Sequence, residues 1–173
     1  MENMPPQLTS RREHLVQIGL AVNALPLAAQ ATFTFFDAAT ASEIEALAAQ
    51  IIPTDETPGA KEAGVIHFID RALSGFESDK QGIYKTGLVA TQENRKQLFP
   101  ESTSIAKLTN DQRNKLVESI ETTGFFKTLR DHTVMGFLGN PEYGGNRNKA
   151  GWKLIGFEDA HMFTPPFGFY DKP

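Results

Sequence analysis

The sequence contains no cysteine. That absence excludes intrachain disulfides, a cysteine nucleophile, cysteine-ligated iron–sulfur clusters and covalent haem attachment through C-x-x-C-H. A redox role would have to rest on a cofactor held non-covalently or on another chain. Positive charge is also scarce: 17 Lys and Arg stand against 21 Asp and Glu, for a net charge of −4. No Lys/Arg-rich block occurs, so the footprint of a nucleic-acid partner is missing. Histidine occurs only as His14, His67, His132 and His161, and none forms an H-x-H or H-x-x-x-H pair. There is no G-x-S-x-G elbow, no Gly-Lys-Ser/Thr phosphate loop and no D-x-D-x-D-G calcium loop.

Long hydrophobic runs are lacking as well. The apolar stretch from Leu15 to Ala29 is interrupted by Gln17, Gly19, Asn23 and Pro26, whereas a membrane-spanning helix needs about 20 mostly apolar residues. What precedes and follows it is more informative. Arg11 and Arg12 stand before the run, and Ala29-Gln30-Ala31 after it has the A-x-A form of a signal-peptidase site. Ser10, Arg11, Arg12 and Leu15 resemble a twin-arginine export signal, with His14 and Val16 where phenylalanine and lysine are usual. The same residues also fit an amphipathic first helix. On the export reading, residues 1–31 are a leader, 32–157 a folded domain and 158–173 a tail.

The domain reads as helical. Thr40-Ala-Ser-Glu43 has capping-box form ahead of Ile44, Leu47, Ala48 and Ile51, and Pro53 stops that helix. The Pro/Gly-rich loop 53–64 leads to a second helix with Val65, Phe68, Ile69, Ala72 and Leu73 on one face. Asp55, Glu56 and Glu62 in that loop are expected to favour the positive end of the second helix. A third helix spans 80–98, despite Gly82 and Gly87, carrying Ile83, Tyr84, Leu88 and Leu98. Thr109-Asn-Asp-Gln112 is a second capping box, opening a helix with Leu116, Val117 and Ile120. The last runs from about 123 to 138 with Phe125, Phe126, Leu129, Val134 and Phe137. The expected fold is mainly α, about five helices with an irregular, aromatic-rich C-terminal tail.

Candidate chemistry is thin. Asp131-His132 is the best acid–base pair, but adjacent helical residues point about 100° apart, so a surface pair is expected. His67 and Asp70 are spaced to touch across one helical turn. The segment "GNPEYGGNRNKAGWKLIGF" (139–157) has the glycines of a phosphate cradle but the wrong spacing, no preceding strand and a helix before it. It reads instead as a turn-rich segment in which Asn146 can adopt the left-handed conformation. Trp152, Phe157, Phe163, Phe167, Phe169 and Tyr170 follow, interleaved with Pro165 and Pro166. Their rings pack either on this chain's own core or on a partner. Tyr143, Asn146, Arg147, Trp152 and Phe157 of the segment 139–157 are the candidate partner interface.

"AAQIIPTDETPGAKEAGVIHFIDRAL" (48–73), "FFKTLRDHTVMGFLGNPEYGGNRNKAGWKLIGF" (125–157) and the leader together resemble the gluconate 2-dehydrogenase subunit 3 family. The resemblance covers most of 38–157, and residues 158–173 match no family pattern. It implies a non-catalytic small subunit with no cofactor or metal of its own. The implied partners are a large GMC-type subunit that carries FAD and oxidises a sugar or sugar acid and, where present, a c-type cytochrome subunit with haem c. The leader would take the folded complex to the periplasm through the twin-arginine translocase. Two other readings stay open: a small independent enzyme using Asp131, His132, Tyr143 and Arg147, and a stand-alone module in which Trp152 and Tyr143 stack on a sugar ring.

Overall fold

The computed structural model describes residues 33–160 and 162. The leader with Arg11 and Arg12, and the aromatic tail from residue 163 onward, lie outside the described residues. Within them run six α-helices: α1 (Ala38–Ile51), α2 (Val65–Ser74), α3 (Gln81–Leu98), α4 (Asn110–Glu118), α5 (Gly124–Leu138) and α6 (Ala150–Leu154). No strand occurs among the described residues. The mainly α expectation holds, with one short helix more than expected, inside the segment 139–157.

Helix α5 is the centre of the packing and touches α1, α2, α3 and α6. The apolar stripes face inward as their spacing dictates: Ile44 and Leu47 of α1, Val65, Ile69 and Leu73 of α2, and Leu129 of α5 are all fully buried. Helix α3 contributes mainly Tyr84, while Ile83 and Leu98 face outward. Its Gly87 is needed where it stands, because a Cβ there would lie 2.3 Å from the Phe125 ring of α5. Val134 departs from the expected inward set and is 41% exposed.

Local capping explains where the helices begin, and in one case corrects the sequence reading. Thr109 and Gln112 form the expected capping box at α4. The first helix, however, starts earlier than Thr40: Asp37 is its cap, its Oδ1 accepting from the Thr40 backbone N–H at 2.7 Å. The Thr40 backbone N–H holds that carboxyl below its usual range. Glu43 is not a capping partner. Its buried carboxylate accepts from the Ile105 N–H at 2.7 Å, and burial pushes its pKa up. The loop acids depart from expectation too: Gly64 stands at the cap position of α2 with no side-chain cap, while Glu62 accepts from the Thr54 hydroxyl and the Gly59 N–H.

Asp70 fixes the start of the domain rather than pairing with His67. Its carboxylate, 3% exposed, accepts from the backbone N–H groups of Thr34, Phe35 and Phe36 at 2.8, 2.9 and 2.9 Å. Hydrogen bonds to a charged acceptor contribute about 1.5–3 kcal/mol each, and not additively. Asp70→Ala is therefore expected to cost on the order of 3 kcal/mol, and Asp70→Asn less. Thermal melting of the two variants checks this; equal melting temperatures in wild type and Asp70→Ala would contradict it.

Candidate functional site

The segment after α5 is held by one amide. Asn146 is fully buried in the left-handed region, at φ 46°. Its Nδ2 donates to the Gly139 carbonyl at 2.8 Å, and its Oδ1 accepts from the Gly151 N–H at 2.9 Å. The amide thus ties the end of α5 to the first turn of α6. Asn148 and Lys149 also have positive φ, 58° and 55°. Residues held this way cost about 1 kcal/mol or more each, so the clamp must offset a strained turn. Gly151 completes it by close approach, since a Cβ there would lie 2.0 Å from the Phe137 carbonyl oxygen.

This loop packs against the loop before α2. The Arg147 N–H donates to the Ala63 carbonyl at 2.9 Å, and its guanidinium lies over Gly64. The structure therefore joins the two sequence segments 48–73 and 125–157 at one place. Trp152 is half-buried; its Nε1–H donates to the Leu138 carbonyl at 2.6 Å, and Phe157 packs on its ring at 4.9 Å between centroids. Lys149 sits over the same indole and pairs with Asp159 at 2.8 Å.

Of the five candidate interface residues, Tyr143, Arg147 and Phe157 are exposed and Trp152 lies partly open beneath Phe157. Asn146 is a correction. With no surface of its own it cannot touch a partner, and its part is to hold the loop that presents the others. The sequence reading missed Phe76, Val134 and Met135, which lie beside Tyr143 along an open groove lined also by Phe68 and Leu138. The available signal was Phe76, an aromatic placed just beyond Gly75, where α2 ends.

The acid–base candidate is also corrected. Asp131 is an exposed partner of Arg130, whereas His132 is fully buried. His132 lies between two groups: its Nδ1 is 3.0 Å from the Tyr84 hydroxyl, and its Nε2 faces the Glu77 carboxylate. Both ring nitrogens are enclosed and no edge of the ring faces solvent, so His132 cannot reach a substrate alongside Tyr143 or Arg147. Burial lowers the His132 pKa, outweighing Glu77. Burial acts to raise Glu77, but Lys80 and His132 outweigh it and hold the carboxyl below its usual range. Among the described residues, no group of three or more His, Asp or Glu could hold a metal ion.

A histidine whose folded pKa lies below its unfolded value of about 6.5 binds protons better in the unfolded chain. Stability is thus full above that value and is lost progressively as pH falls below it towards the folded pKa. The fall in melting temperature between about pH 6.5 and pH 5 should be smaller in His132→Gln than in wild type. An NMR titration showing His132 protonated above pH 6.5 would contradict the buried neutral ring. Independently, Asn146→Ala should lower stability by about 2 kcal/mol and expose Trp152, read as a red shift and easier quenching of its fluorescence.

Searches of the curated proteins and of the solved structures found no match. One protein family does match, described as Gluconate 2-dehydrogenase subunit 3, over residues 38–159. That span runs from the first residue of α1 to beyond Phe157 and takes in both loops that meet at Arg147. The chain belongs to the gluconate 2-dehydrogenase subunit 3 family.

Proposed function

We propose that the chain is the non-catalytic small subunit of an exported flavoprotein dehydrogenase, binding and stabilising a large subunit that carries FAD and oxidises a sugar, glycoside or sugar acid. The observation that carries this reading is the pairing of family membership with a rigid, outward-facing loop. Asn146 inside and Gly151 beneath fix a turn whose exposed side chains, Tyr143, Arg147 and Phe157, are of the types enriched at interfaces. The enclosure of His132 supports a binding role over the independent-enzyme reading. The cover that Phe157 and Lys149 place on the Trp152 ring argues against sugar stacking at that residue.

Residues 1–31 act, on this reading, as a twin-arginine leader that carries the folded pair to the periplasm, where a c-type cytochrome subunit accepts electrons in complexes that have one. FAD and haem belong to the partners. The complex associates with the inner membrane through those subunits.

Tagged chain purified from its native host is expected to bring down a flavin-containing subunit, while the chain made alone is colourless and does not oxidise sugars or sugar acids. Recovery of the tagged chain without any flavoprotein would defeat the proposal. Replacing Arg11 and Arg12 together by lysine should leave both subunits in the cytoplasm; normal export of the double variant would remove the leader from the account.

A further inference from the structure

Between the end of α2 and the outer face of α5 runs an open groove of about 660 Å³. Phe68 and Leu138 are its more buried lining, and Phe76, Val134, Met135 and Tyr143 stand exposed around them. These four are 69%, 41%, 40% and 56% exposed. Large apolar side chains left open side by side mark a surface that another molecule covers. Aromatic residues and Met are the types enriched where protein interfaces are driest.

The surroundings select the kind of partner. Near the groove stand Arg71, Lys127 and Arg130 against Asp131 and Glu142, in a chain of net −4, while Glu77 beside Phe76 is paired with Lys80. Lys127 and Arg130 stand seven and four residues before Val134, on the same face of α5. Arg71, whose Nη1 donates to the Glu142 carbonyl, lies beside Tyr143 at the other end. Arg130 is balanced by Asp131, but Lys127 has no ion-pair partner among the described residues. An apolar centre with the Arg71 and Lys127 cations, neither held by a carboxylate among the described residues, beyond its two ends complements an apolar segment flanked by carboxylates.

We propose that this groove is where the large subunit docks, receiving an apolar helix or loop of that subunit whose flanks carry Asp or Glu. The inference rests on the reading of the chain as an accessory subunit and adds the place of contact. Residues of α2 and α5, rather than the loop alone, anchor the complex. The rim charges set the encounter rate and its salt dependence, while Phe76, Met135 and Tyr143 set how long the complex lasts.

The test uses the tagged full-length chain in its native host and reads flavoprotein retained per tagged chain. Met135→Glu should lower retention at least tenfold with helical signal and melting temperature unchanged. Lys127→Glu should lower it less and flatten its dependence on salt. Val89→Glu, at a 64% exposed position on α3, should leave it unchanged. Should Met135→Glu fail to fold, Tyr143→Asp decides by the same readout. Wild-type retention in the groove variant, with loss in Trp152→Ala, overturns the groove and leaves the subunit reading intact. Absence of flavoprotein from the wild-type sample defeats both. The groove proposal is also overturned if the isolated chain is a dimer that Met135→Glu dissociates.

Discussion

The Asn146 side chain joins the last carbonyl after α5 to a backbone N–H in the first turn of α6, and the outward surface of the molecule depends on that bridge. Three non-glycine departures into positive φ within four residues, at 146, 148 and 149, would not persist in an exposed loop without compensation. The buried amide supplies it, with both its donor and acceptor used in a site closed to water. From this constraint follows the direction of the chain: Arg147 reaches back over the loop before α2, and Trp152 folds onto the end of α5. The rigid loop is thus a consequence of one residue that never meets solvent.

A contrast between closed chemistry and open apolar surface runs through the fold. Three polar groups that could titrate are enclosed: His132 between Tyr84 and Glu77, Asp70 under three backbone N–H groups, Glu43 against Ile105. In each case the buried polar group holds together segments distant in sequence. Among the side chains left open are Phe76, Val134, Met135, Tyr143 and Phe157, which have little chemistry to offer and much apolar area.

Much of the fold was legible because it is written in local pattern. The helix spacings, the Pro/Gly loop before α2 and the capping box at Thr109 each depend on residues within a few positions of one another. The failures share a different cause. Thr40–Glu43 has the form of a cap, yet Asp37 lies three residues ahead of Thr40 and Glu43 has a partner 62 residues away. Asp131-His132 looked like a surface pair because the residues that enclose the imidazole, Tyr84 and Glu77, come from 48 and 55 positions earlier. Asn146, set among glycines, looked exposed for want of any local sign that its amide spans the turn. The groove was invisible for the same reason, since α2 and α5 make it only once packed.

Zero-length carbodiimide cross-linking of the native complex, read by mass spectrometry, tests the central claim most directly, because it joins lysines only to carboxylates in contact. The account predicts cross-links to the large subunit from Lys127 and Lys153, beside the groove and on α6. It predicts none from Lys85 and Lys96, which line a separate cleft beside Phe35 on α3. Cross-links confined to Lys85 and Lys96, with Lys127 and Lys153 unmodified by the partner, would contradict it.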